Sequence, residues 1–273
     1  MNMIIALSLI LLLLLVLIGK TRGVKAFCSL FINYTLIVIM IRLICLGAHP
    51  VITAFLFSLG ASAFILFFLN GVNIKTRAAY ISVVFVMLIN AFLMIFVVYR
   101  SGLNGFSPEN GAIVYILGND INVNYYHVEI AIILIALTGA VTDTALDIAT
   151  SLNEVRENNQ DLSFVELWKS GKRMGGDILG TMINTIFFVF LGEFIGFFVY
   201  RFSIMQNQNF QTIINSKYFN QEISRLLICN LGCTLIIPIT IAVLIFGYSR
   251  RKIREVGQIP DIIDGIDDID DFD

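Results

Sequence analysis

Charge is scarce in this chain: only 14% of its 273 residues are Asp, Glu, Lys or Arg, while 58% are hydrophobic. Mean hydropathy is +0.85. That balance excludes a soluble domain and indicates a polytopic membrane protein. There is no basic excess, the net charge being −2, so nucleic acid is not expected as a partner. Histidine is limited to His49 and His127, and no His-Glu-x-x-His run occurs, which argues against zinc hydrolase chemistry. The four cysteines, Cys28, Cys45, Cys229 and Cys233, all fall in apolar runs, so no disulfide framework is expected. Cys229 and Cys233 are spaced i, i+4 but have no His or carboxylate within one turn; they read as small packing residues rather than metal ligands. The N-terminus lacks a basic leader region. Its apolar stretch runs into Lys20-Thr21-Arg22 rather than a small-residue cleavage site, so it reads as a retained first helix.

What the chain has is long apolar runs. Seven can be marked, at about 3–19, 26–46, 51–70, 78–99, 127–150, 177–200 and 225–248. Each is long enough to cross a hydrocarbon core of roughly 30 Å at about 1.5 Å per residue. Lipid leaves no water to satisfy irregular backbone, so these are helices, and their continuity excludes barrel strands. The expected fold is an all-α transmembrane bundle over residues 1–254. Thirteen basic residues fall on one side of it and four on the other, which places the N-terminus outside and the C-terminus in the cytoplasm. Residues 255–273 are rich in Asp and are expected to be a disordered tail. Its Asp264-Gly265-Ile266-Asp267-Asp268 order does not fit a calcium loop. In the outer loop 100–126 a short strand is expected at 113–117. Between the fifth and sixth spans, Ser163 and Glu166 fit a capping box, and Phe164, Leu167 and Trp168 share a face, predicting an amphipathic helix on the inner surface.

Two spans carry polar residues where lipid disfavours them. The fifth has Asp143, Asp147, Thr150 and Ser151 at helical spacing; the sixth has Asp177, Thr181 and Asn184 at i, i+4, i+7. An acid at a helix centre costs about 2.5–3.5 kcal/mol on insertion scales, so such residues ordinarily face protein or water and mark a working site. The two stripes are expected to face one another in one layer of the bundle. Gly176 with Gly180, and Gly192 with Gly196, are expected to let the sixth helix pack closely on its neighbours. Glu129, Glu193 and Arg42 lie near span ends or alone, where snorkelling accounts for them.

The run Gly139-Ala140-Val141-Thr142-Asp143-Thr144-Ala145-Leu146-Asp147, the segment Glu166-Leu167 followed by Ser170-Gly171, and Gly176-Asp177-Ile178-Leu179-Gly180-Thr181-Met182-Ile183-Asn184-Thr185 together resemble the YibE/F family of bacterial multi-pass membrane proteins. The resemblance covers roughly 138–192 and implies the bacterial plasma membrane as location and a sibling subunit as partner. A fainter likeness links Asp147 and Arg156-Glu157-Asn158 to the export-motor subunit SecF and the wider RND transporters. Nothing in this chain corresponds to the large periplasmic domain of SecF.

Three functions compete. One is a proton- or ion-coupled transporter or export subunit, in which Asp143 and Asp147 load and release the ion while Asp177, Thr181 and Asn184 organise them. A second copy or a sibling would supply the opposing wall. Another is a non-transporting assembly or regulatory subunit whose stripes hold a partner. An intramembrane aspartyl protease is the weakest, because Met174-Gly175-Gly176-Asp177 breaks the Gly-x-Gly-Asp motif at its first glycine. The chain therefore reads as a non-enzyme with membrane lipid around it and no cofactor.

Overall fold

A computed structural model describes residues 3–101, 124–159, 162–204, 211 and 215–256. The expected strand at 113–117 and nearly all of the acidic tail, residues 257–273, lie outside the described residues. Six helices follow in order: α1 (Met3–Cys45), α2 (Pro50–Phe64), α3 (Ile74–Ser101), α4 (Tyr125–Asn158), α5 (Phe164–Ile204) and α6 (Lys217–Val256). A π-helical turn, Ile65–Leu69, continues α2. Among the described residues there is no strand, and all six helices, α2 taken together with its π turn as Pro50–Leu69, are long and apolar enough to cross a membrane.

Six elements stand where seven spans were expected, because the first two are merged. The backbone of α1 leaves helical geometry at Lys20, with φ 48° and ψ −126°. Gly23 is buried against the backbone of Leu15, eight residues back, and a Cβ there would collide with it. In a straight helix residues eight apart are about 12 Å from one another along the axis, so the chain bends sharply at Lys20. The expected spans 3–19 and 26–46 lie on either side of that bend.

The predicted surface helix at 163–173 is also not separate. Its capping box is present: the Ser163 backbone amide and hydroxyl donate to Glu166 Oε2 at 2.9 and 2.8 Å, and the Glu166 amide donates to Ser163 Oγ at 3.3 Å. The helix started there continues without interruption to Ile204. Nothing between Phe164 and the apolar run breaks it, since Gly171, Gly175 and Gly176 are tolerated within a helix that packs on a neighbour.

The fourth helix is the centre of the bundle. It packs on α2, α3, α5 and α6, and Ile133, Leu137, Val141, Ala145, Ile148 and Leu152 are fully buried along its length. These join Met87 and Met94 of α3 and Ile236 and Ile241 of α6 in one core. Apolar side chains also cover the outside: Phe92 and Phe96 of α3 are 77% and 68% exposed. In water such a surface would aggregate; in lipid it is the ordinary exterior of a spanning bundle.

Candidate functional site

Helix α4 divides its polar residues between two faces. The inward face carries hydroxyls. Thr138 donates to Ser58 Oγ at 2.8 Å, and Thr142 and Ser62 share a 2.8 Å hydrogen bond, with all four residues buried. Two rungs one turn apart thus tie α4 to α2. Each threonine hydroxyl also has the carbonyl one turn back as an alternative acceptor, Leu134 for Thr138 at 2.7 Å and Thr138 for Thr142 at 2.6 Å, so its single proton always has an acceptor in reach.

The outward face carries the acids. Asp143 and Asp147 are exposed, while their neighbours Thr142, Thr144, Ala145 and Ile148 are buried. The two carboxylates lie one turn apart and interact electrostatically. Cys233 of α6 lies near Thr144 and Asp143. Neither carboxylate has a hydrogen-bond or ion-pair partner among the described residues.

On α5 the stripe Asp177, Thr181 and Asn184 is likewise exposed. Its donors are turned back on their own helix: Thr181 Oγ1 donates to the Ile178 carbonyl at 2.8 Å, and Asn184 Nδ2 to the Gly180 carbonyl at 2.9 Å. No hydrogen bond joins this stripe to that of α4 among the described residues. The expected inward-facing crevice is therefore not formed within one chain; both stripes lie on the surface of the bundle. The reason is packing. The inward face of α4 is filled by Val141, Ala145, Ile148 and Leu152, and α5 docks through Leu167, Gly171, Gly175 and Ile186, which lie off its polar stripe.

The glycines follow the same division. Among the described residues, apart from their own helix, Gly176, Gly180, Gly192 and Gly196 have nothing within 4 Å of where a Cβ would stand. The close approaches are made one helical face away: a Cβ on Gly171 would stand 2.9 Å from Ile241 Cγ1, and one on Gly175 would collide with Ile237 Cγ2. Gly171 and Gly175 are themselves spaced i, i+4, so the spacing signal was present in the sequence on a second face.

Three polar clusters escaped sequence reasoning. Glu129 is fully buried; it accepts a 2.6 Å hydrogen bond from Gln221 and meets Arg225 at 3.4 Å, while Arg225 also pairs with Glu222 at 2.8 Å. Snorkelling does not describe it: the group joins the start of α4 to the start of α6. At the same end His49 and His127 lie ring to ring, 4.4 Å between centroids, and Tyr99 hydrogen-bonds His127 Nε2 at 2.9 Å. At the other end of α4, Tyr248 donates to Asn153 Oδ1 at 2.8 Å, Asn153 donates to Glu157 at 2.6 Å, and Arg156 stacks over the Tyr248 ring. Charge in these clusters serves to join helix ends. Cys229 and Cys233 are buried in the core and Cys28 and Cys45 are exposed.

Residues 7–250 match the family model described as YibE/F-like protein. The chain belongs to the YibE/F family. The match extends well beyond the motif stretch 138–192 to take in the first helix and nearly all of the last. Six helices of spanning length and the apolar exterior fit an integral membrane protein. No curated protein and no solved structure matches the chain.

Proposed function

We propose that this integral membrane protein is a proton- or ion-coupled transporter or export subunit whose coupling groups are Asp143 and Asp147. The observation that carries the reading is their position. Two acids with no hydrogen-bond or ion-pair partner among the described residues stand near the middle of the most buried helix in the bundle, yet are exposed. Each would cost about 2.5–3.5 kcal/mol against lipid, and a purely structural helix would have no reason to keep both. The cost disappears if a second protein surface closes over them and admits water. The exposed stripe Asp177, Thr181 and Asn184 and the open glycines Gly176 and Gly180 belong to the same unfinished surface. A YibE/F sibling, or a second copy of this chain, completes it.

In this reading the chain lies in the bacterial plasma membrane and does no covalent chemistry of its own. It crosses the membrane seven times, counting α1 as two crossings on either side of Lys20, with the N-terminus outside and the C-terminus inside. An imposed pH gradient across proteoliposomes containing the purified complex should drive proton flux, read with an entrapped pH dye. Flux should be lost when Asp143→Asn and Asp147→Asn are combined. Wild-type flux in that double variant would remove the mechanism. The reading as a non-transporting assembly subunit is favoured by one observation: the hydroxyl and amide donors of α5 are satisfied within the helix, as in a packing surface. It wins if partner association collapses on stripe mutation while no flux is found.

A further inference from the structure

At the end of the bundle where α2 stops and α4 finishes, four chain segments line an open cavity of about 630 Å³. Arg22 enters from α1 just past the bend, Asn70 and Asn73 from the turn after α2, Lys75 from the first turn of α3, and Thr150 and Glu154 from α4. The sharp bend at Lys20 is what brings Arg22 here, and the turn opposite is held firmly. Asn73 and Thr76 cap one another, with the Asn73 amide donating to Thr76 Oγ1 at 3.0 Å and the Thr76 amide to Asn73 Oδ1 at 2.9 Å. The Thr76 hydroxyl closes the loop further by donating to the Gly71 carbonyl at 2.8 Å. Lys75 is thereby fixed at the start of α3.

Neither Arg22 nor Lys75 is ion-paired with a described residue, and Glu154 of α4, which also lines the space, is within ion-pair distance of neither. Two cations from different helices converge on a space large enough for a headgroup or small solute, and the positive end of α3 opens toward the same space. Arg22 supplies a planar pair of donors and Lys75 a point charge, a combination suited to phosphate oxygens.

We propose that this cavity binds a phosphate group, gripped by Arg22 and Lys75. Glu154 limits it to a single phosphate, because a second negative group would approach the carboxylate. Ala26, Leu69 and Leu146 on the wall accept whatever apolar portion the phosphate carries. The source is either a phospholipid headgroup entering from the bilayer or a free phosphate-bearing solute. The inference does not depend on the coupling role of Asp143 and Asp147.

The test uses the full-length protein in a phosphate-free, non-ionic detergent. Thermal stability is followed while short-chain phosphatidylglycerol, glycerol phosphate or inorganic phosphate is added. At least one of these should raise the melting temperature in a saturable way. Saturation by phosphatidylglycerol alone assigns the site to lipid, and saturation by glycerol phosphate or inorganic phosphate assigns it to a soluble ligand. Combining Arg22→Gln with Lys75→Gln should weaken binding at least tenfold, whereas Glu154→Gln should tighten it several-fold. Opposite signs from the cations and the acid lining one cavity are not produced by general unfolding. Absence of any saturable shift in wild type, binding unchanged in the double variant, or weakening in Glu154→Gln each overturns the proposal. Should the double variant not fold, Lys75→Gln alone is set against Arg77→Gln, a charge-matched control outside the cavity. Weaker binding in Lys75→Gln only supports the site, and equal binding in the two overturns it.

Discussion

Replacing Glu129 with Leu should be among the most destabilising single changes in this protein, and the structure says by how much. Glu129 is fully buried, so its carboxylate is useful only through its partners. Gln221 loses the acceptor it holds at 2.6 Å, and Arg225 loses one of its two carboxylates. A buried donor left without an acceptor costs about 1–3 kcal/mol. Breaking a buried ion pair costs about 3–5 kcal/mol when one charge is stranded. Arg225 is not fully stranded, because Glu222 remains at 2.8 Å and 13% of its side chain is exposed. The separation from Glu129 is also long, at 3.4 Å. The total should therefore fall at about 3 kcal/mol, near the bottom of the ion-pair range. Glu129→Gln keeps an acceptor for Gln221 and should lose only about 1 kcal/mol. Unfolding in mixed micelles by titration with sodium dodecyl sulfate measures both, with Trp168, the single tryptophan, as the fluorescent reporter. A Glu129→Leu protein as stable as wild type would refute the account of this cluster.

The same titration separates the two glycine faces of α5. Gly176→Ala should stabilise by up to about 1 kcal/mol, since alanine is the better helix former and meets nothing. Gly175→Ala should be a net loss, because crowding Ile237 costs about 1–3 kcal/mol and outweighs that gain. Equal effects at the two positions would contradict the packing described. Replacing Thr142 with Val should cost roughly 0.6 kcal/mol, the average for an interhelical hydrogen bond in a membrane; the cost should vanish in a Ser62→Ala background, which a double-mutant cycle reads directly. Asp143→Leu should raise the melting temperature of the isolated chain in detergent while abolishing proton flux, the trade expected of a residue kept for function. A lower melting temperature would assign Asp143 to the structure instead.

Hydropathy made the spans legible, because a bilayer demands one long apolar run per crossing. The start of α5 was legible from Ser163 and Glu166 alone, since a capping box is local. The bend in α1 was visible only as charge: Lys20 and Arg22 marked an end of span, but nothing in the sequence showed helical backbone resuming at once. The stripes of α4 and α5 were legible as stripes. Periodicity tells which residues share a face and not which way that face turns, so it could not show that Asp143, Asp147, Asp177 and Asn184 lie outside rather than in a shared crevice. The rungs from Ser58 and Ser62 to Thr138 and Thr142 pair residues 80 apart in sequence, and Glu129 with Arg225 pairs residues 96 apart. No local pattern reports such partners.

Labelling with a hydrophobic carbodiimide tests the central claim, that Asp143 and Asp147 exchange protons with water from within the membrane. Dicyclohexylcarbodiimide partitions into hydrocarbon and condenses with protonated carboxyl groups there, forming a stable acylurea that peptide mass mapping locates. With the intact complex in native membranes, the account predicts adducts on Asp143 or Asp147 that form under mildly acidic conditions and decline as the medium is made alkaline. No adduct on either residue at any pH, or labelling that ignores pH, would contradict it.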